Sequence, residues 1–143
     1  MSTFTSTELA YLQSQPLGRL ATVGPDGMPH AAPVGFFHDP VDDTIVIGSA
    51  ADMAASKKYR DVRRTGKAAL VVDDLASVDP WTPRGLEIRG RVQTHDAGGA
   101  EVGRRLGVPF PMDEVYLRIV PDRIVTWGID GDSYEASGRT VSR

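Results

Sequence analysis

Residues 56–67 hold the densest chemistry in the chain. Ser56-Lys57-Lys58 is followed by Arg60, Arg63, Arg64 and Lys67, with Asp61 as the one opposing charge. A serine at a helix start followed by two lysines has a direct use. The first helical turn leaves backbone N–H groups without intrahelical partners, and the helix dipole is positive there. A phosphate at that end accepts from those N–H groups, the serine hydroxyl and one or two ammonium groups together. The competing explanation is a solvated basic helix face, and the segment taken alone favours it.

Charge distribution narrows the ligand. Residues 57–67 carry six positive and one negative side chain, a net +5, within a chain whose formal charge is −3, so the remainder sums to −8. A basic patch on an acidic body suits one small anionic ligand. A nucleic-acid tract needs a broader basic surface with interleaved aromatics, which is lacking here.

Other chemistries are excluded by residue type. With no cysteine, disulfides, thiolate metal sites and cysteine nucleophiles are ruled out. No G-x-G-x-x-G follows a strand, and no G-x-S-x-G occurs. Gly66-Lys67 is followed by Ala68, and Asp61 stands where a P-loop needs its first glycine. His30, His38 and His95 lie far apart and none is paired at helical ligand spacing, so no metal site is expected. His30 and His38 read as polar sheet residues.

These residues need a frame, and the sequence outlines one. Thr5 and Glu8 form a capping-box pattern, with Phe4 and Leu9 placed as a hydrophobic staple. Residues 18–23 read as a strand, Gly24-Pro25-Asp26-Gly27 as a turn, and 29–37 as the returning strand. Pro33 cannot donate to a ladder and therefore requires an edge or a bulge. Residues 44–48 read as a short β-branched strand, Ser56 as the cap of a helix reaching about Arg64, and 67–72 as a further strand. Residues 73–83 read as a loop. Residues 85–95 alternate clearly, with Leu86, Ile88, Gly90 and Val92 on one face. A helix over 97–106 ends at Gly107. Residues 115–120 and 123–128 read as two strands around Pro121-Asp122, and 129–143 as a polar, irregular tail with the freedom to be mobile.

The outcome is a mainly β chain: six or seven antiparallel strands with short helices between them, in one domain over residues 1–143. A length of 143 residues, 41% hydrophobic and 24% charged, is ordinary for one globular core. No apolar run is long enough for a membrane helix, and the N-terminus lacks a signal-peptide pattern. Together with the absence of cysteine, this fits a cytoplasmic protein.

The ordered set Gly18-Arg19-Leu20-Ala21-Thr22-Val23, Pro25 to His30, Ala32 to Phe36, Ile45 to Ser49 and Ser56-Lys57-Lys58 resembles the pyridoxamine 5'-phosphate oxidase-like superfamily. The likeness continues through Lys67 to Val72 and covers most of residues 15–127. It implies a Greek-key split β-barrel homodimer with flavin sites at the subunit interface. It also implies that Lys57 and Lys58 hold the cofactor phosphate, with Ser49 and Ser56 as hydroxyl donors. Ala21-Thr22, Val34-Gly35-Phe36 and Ile47-Gly48 would then lie along the ring. A glycine at 35 or 48 would let a flat ring approach the backbone, though a sheet bulge explains it equally well.

The stretch from Asp79 to Val92, with Trp127-Gly128, resembles the branch of that superfamily that uses the deazaflavin F420. Trp127 and Trp81 are candidate pocket walls. F420 carries a long acidic tail, which the +5 segment would complement better than a lone FMN phosphate requires. The leading expectation is an F420-dependent reductase that transfers hydride to a small-molecule substrate. It needs no side-chain nucleophile, so no catalytic residue is assigned, and Tyr59, Tyr116 or water could supply a proton. The alternatives are an FMN-dependent oxidoreductase and a non-catalytic flavin or haem carrier.

Overall fold

The structure, a computed structural model, describes residues 2–130 and 135–142. The first helix, α1 (Ser6–Ser14), starts as its sequence requires. Thr5 Oγ1 accepts from the Glu8 N–H, and the Glu8 carboxylate accepts from the Thr5 N–H. Phe4 and Leu9 both join the main core.

The strands are β1 (Gly18–Val23), β2 (Pro29–Asp39), β3 (Thr44–Gly48), β4 (Lys67–Ser77), β5 (Thr82–His95), β6 (Tyr116–Trp127) and β7 (Ser137–Thr140). Every pairing is antiparallel, in the order β3-β2-β1-β4-β5-β6-β7, and β3 also pairs with β6. The first six strands therefore close into a barrel. The chain runs β1-β2-β3, crosses through a 3-10 turn (Met53–Ala55) and helix α2 (Lys57–Thr65), then lays β4 beside β1. That crossing makes the Greek key and puts α2 against β1.

Alternation fills the interior. Leu20, Ile45, Ile47, Leu70, Leu86, Ile88, Leu117, Ile119 and Ile124 are fully buried. Each such side chain contributes roughly 1.5–3 kcal/mol of transfer free energy. A second, smaller cluster lies outside the barrel, where helix α3 (Gly99–Leu106) and the segment after it pack Met112 and Phe110 with Val46 and Tyr116.

Pro33 has the edge it requires. Residues 29–34 of β2 pair with β1, and only from Gly35 onward does β2 pair with β3 instead. Three expectations are corrected. Residues 73–83 are not a loop: β4 and β5 continue through them as a hairpin. Their outward residues are charged and pair across strands, as Asp74 does with Arg84, so apolar alternation does not reveal them. Pro121-Asp122 does not turn the chain. β6 runs straight through: Pro121 stays opposite Gly90, and a register shift between Arg89 and Gly90 leaves Asp122 as the extra residue of a bulge. The tail is not wholly irregular either, because β7 pairs with β6 and Arg139 binds Glu8 through both guanidinium nitrogens at 2.6 Å. Residues 131–134 of that tail lie outside the described residues.

Candidate functional site: the start of helix α2

Ser56 caps α2 as expected: its Oγ accepts from the Tyr59 N–H. The same hydroxyl donates to the Met53 carbonyl at 2.6 Å, so its one proton is used within the chain. Lys57 and Lys58 are the first two helical residues, whose N–H groups have no carbonyl to meet inside the helix. Gly66 ends α2 in the left-handed conformation that suits glycine.

The two lysines differ in surroundings. The Lys57 ammonium donates to Asp61 Oδ1 at 3.1 Å, an i,i+4 pair, and lies against Gly24 at the end of β1. Asp61 is buried, and its other oxygen accepts from the Thr22 hydroxyl at 2.8 Å. Burial alone would raise the Asp61 carboxyl, but the hydrogen bonds from Thr22 and Lys57 more than offset this and hold it below its ordinary value. Lys58 is half-buried and has no carboxylate partner among the described residues. Burial pulls its ammonium below the usual lysine value, because nothing nearby compensates the charge. Further along, Arg60 donates to the Ala55 carbonyl and Arg64 to the Val23 carbonyl, while Arg63 is exposed.

The ring-lining candidates fall into three groups. Ala21 lies on the outer face of β1, in register with Ala31 of β2 and Ala69 of β4, and these small side chains leave that face flat. Thr22 points the other way, to Asp61. Val34, Phe36 and Ile47 point into the barrel core and can offer a bound ring only their backbone. Gly35 and Gly48 are partners across β2 and β3. A Cβ at Gly48 would stand 2.4 Å from Met112 Sδ, so Met112 packing explains that glycine without an approaching ring or a bulge. Gly35 opens instead onto a groove of about 830 Å³ between α1, β2 and the end of α3, lined among others by Leu12, Leu17, Phe36, Arg105 and Phe110.

The structure does not bring every candidate together. Ser49 holds the connection after β3, its carbonyl accepting from the Asp113 N–H and its hydroxyl from the Ala51 N–H. Neither serine nor either lysine lines the groove. Trp127 covers Gly85 at the end of the barrel away from α2. Lys67, which follows α2, pairs with Arg91, six residues along β5 from Gly85. At about 3.4 Å per residue that is roughly 20 Å. Trp81 is exposed at the tip of the β4–β5 hairpin. Tyr59 and Tyr116 are buried in the two clusters, so neither offers its phenol to a surface ligand.

Sequence reasoning missed Asp61 as a structural partner, although the i,i+4 spacing from Lys57 was a usable signal. It also missed the buried Asp39, which accepts two hydrogen bonds from Arg105 at 2.9 and 2.7 Å and one from Arg118 at 2.8 Å. Strand β2, helix α3 and strand β6, which bring those groups together, are far apart in sequence, and no local pattern marks them.

A sequence profile of the pyridoxamine 5'-phosphate oxidase family matches residues 4–127, nearly the whole barrel. The chain belongs to that family. Within reach of this family member is a 5a,11a-dehydrotetracycline/5a,11a-dehydrooxytetracycline reductase of Streptomyces rimosus, 46% identical over 129 residues, which are 90% of this chain and 86% of the relative. A conserved hypothetical protein of Mycobacterium tuberculosis superposes with a TM-score of 0.67 at 26% identity, covering 88% of this chain and 86% of the other. A structure described as an F420 reductase superposes with a TM-score of 0.60 at 23% identity, over 79% and 92%. That last likeness bears on the fold alone.

Proposed function

We propose that this member of the pyridoxamine 5'-phosphate oxidase family is an F420-dependent reductase, working as a cytoplasmic homodimer in which 1–143 form one cofactor-binding domain. The oxidoreductase class rests on the family and on the 46% identical reductase. The observation that carries the cofactor choice is the start of α2. A half-buried, unpaired Lys58 stands there beside free helical N–H groups, with Arg63 and Lys67 further along also lacking carboxylate partners among the described residues. Such a run offers more positive charge than one phosphate needs, and an acidic tail uses it.

When bound, reduced F420 supplies a hydride, two electrons, to an electrophilic carbon. The chain contributes binding and orientation. Lys58 and the first N–H groups of α2 fix the phosphate, and the flat face at Ala21, Ala31 and Ala69 supports the ring. Trp127 stands too far from α2 to share a site within one chain, which agrees with sites completed by a second copy. With Tyr59 and Tyr116 buried, water delivers the proton that completes addition across the reduced bond. The relative's name specifies a 5a,11a-dehydro compound, so a conjugated C=C is the substrate class to try first.

FMN is the second reading, favoured by the family's namesake chemistry. Anaerobic turnover separates them. Reoxidation of reduced F420 in the presence of dehydrotetracycline is the expected result. Turnover with reduced FMN and none with reduced F420 would overturn the cofactor assignment.

A further inference from the structure

We infer that the groove between α1, β2 and α3 admits the substrate. Gly35 forms its floor and sets the size of molecule that fits, and Arg105 takes a carbonyl oxygen of a flat, conjugated substrate. This rests on the reductase reading above and deepens it from a substrate class to a place and two residues.

Gly35 is a glycine that the fold does not require. Its backbone is ordinary strand, inside β2. A Cβ there would meet Phe37 Cε2 at 3.5 Å and Phe110 Cε1 at 3.6 Å, which are normal van der Waals contacts. By contrast, a Cβ at Gly90 would stand 2.1 Å from the Val120 carbonyl oxygen, and one at Gly48 2.4 Å from Met112 Sδ, so packing accounts for both of those. Glycine inside a strand is destabilising relative to alanine. What the missing side chain provides at position 35 is room: a groove of about 830 Å³ walled by Leu12, Leu17, Phe37 and Phe110. An apolar cleft of that size suits a molecule of several fused rings.

The groove is continuous with the face proposed for the cofactor ring. Val34 and Phe36 point into the core, so alternation puts Ala31, Pro33, Gly35 and Phe37 on the outer face of β2. Gly35 lies four residues beyond Ala31, roughly 14 Å at about 3.4 Å per residue, a length that a tricyclic ring laid along the strand largely spans. Arg105 supplies the polar group. It lines the groove and is partly exposed, while the buried Asp39 takes two of its N–H groups at 2.9 and 2.7 Å. That pairing fixes the guanidinium and leaves three of its five donors. A carbonyl conjugated to the C=C accepts from them, and the hydrogen bond draws electron density from the carbon that receives hydride.

The test measures binding without turnover. Dehydrotetracycline is titrated by calorimetry into the full chain holding whichever oxidised cofactor saturates it, F420 or FMN. Gly35→Leu should raise the dehydrotetracycline Kd by about tenfold or more, since even one methylene discriminates on that scale in an apolar pocket, and should leave the cofactor Kd within about threefold of wild type. Gly35→Ala should unfold no earlier than wild type and weaken binding in the same direction by less. Arg105→Lys keeps a cation for Asp39 but loses the fork, and should weaken binding by about tenfold, the scale of one hydrogen bond to a charged group. Unchanged affinity in Gly35→Leu or in Arg105→Lys would overturn the role given to that residue. Equal loss of cofactor binding in Gly35→Leu would give the position to the ring, and its sedimentation as a smaller species than wild type would make the groove an interface between copies; either overturns the inference. A lower unfolding midpoint in Gly35→Ala would show the glycine to be a packing requirement. If wild type binds cofactor but no dehydrotetracycline, the substrate class proposed above fails and the groove assignment with it, a result distinct from variants that bind as wild type does.

Discussion

Glycine at position 48 shows how a residue type can be right for a reason other than the obvious one. A missing side chain suggests room for a flat ring, but that room holds Met112. Gly48→Ala should therefore cost about 1–3 kcal/mol in urea unfolding, as overpacking does, whether or not a flavin is present. A loss seen only in cofactor binding would restore the ring-contact explanation. Lys57 carries the same lesson. Its type and position at the helix start were plain in the sequence, but its commitment to Asp61 needed the strand that brings Thr22 alongside. His95 adds a residue whose environment only the fold supplies. It stacks on Tyr116 at 4.6 Å between centroids, with Nε2 buried and unpaired. Burial, then the nearby Arg118 charge, hold its pKa below the ordinary histidine value. The unfolded chain then binds the extra proton more readily, so stability is greatest above the unfolded pKa and declines as pH falls through it. Unfolding midpoints measured from about pH 7.5 to pH 5 should drop in wild type and drop less in His95→Phe, the histidine reference value being about 6.5. Identical slopes would remove His95 from the account.

At the scale of elements, capping and alternation carried most of the information. The Thr5 capping box, the Ser56 cap, β1, β3 and the alternating part of β5 stand where local chemistry puts them. The failures share a cause: partners supplied from elsewhere in the fold. β4 and β5 extend through a segment rich in Asp and Pro because Asp73 pairs with Arg19 and Asp74 with Arg84. β6 runs through Pro121 because Gly90 of β5 stays opposite it and a bulge at Asp122 takes up the register shift. α3 is fastened to the barrel by Arg105, whose guanidinium binds Asp39 and holds that carboxyl, with help from Arg118, well below the usual range. Asp39 is 1% exposed. Asp39→Ala leaves Arg118 buried without its main counter-charge, and should cost about 3 kcal/mol or more by chemical denaturation. A change below about 0.5 kcal/mol, the scale of an ordinary surface substitution, would show the network to be dispensable.

For the whole molecule, the antiparallel strands were legible from turn signals and alternation, whereas the barrel came only as what the family resemblance implies, because the β3–β6 pairing that closes it joins strands far apart in sequence. The site was legible only in part. The candidate lysines and small outward residues announce themselves, whereas Trp127 lies at the other end of the barrel, where sequence order says nothing about a second copy. If a homodimer completes the site, sedimentation should give about twice the 15.4 kDa chain mass, and dilution to monomer should abolish cofactor binding. The +5 segment on a −8 body makes the remaining claim electrostatic, and so sensitive to salt. Fluorescence titration of the purified protein with F420, at low and high ionic strength and in competition with FMN, tests that claim most directly. The account predicts saturable F420 binding, tighter than FMN and weakened by salt. Stoichiometric FMN binding with no saturable F420 binding at either ionic strength would contradict it.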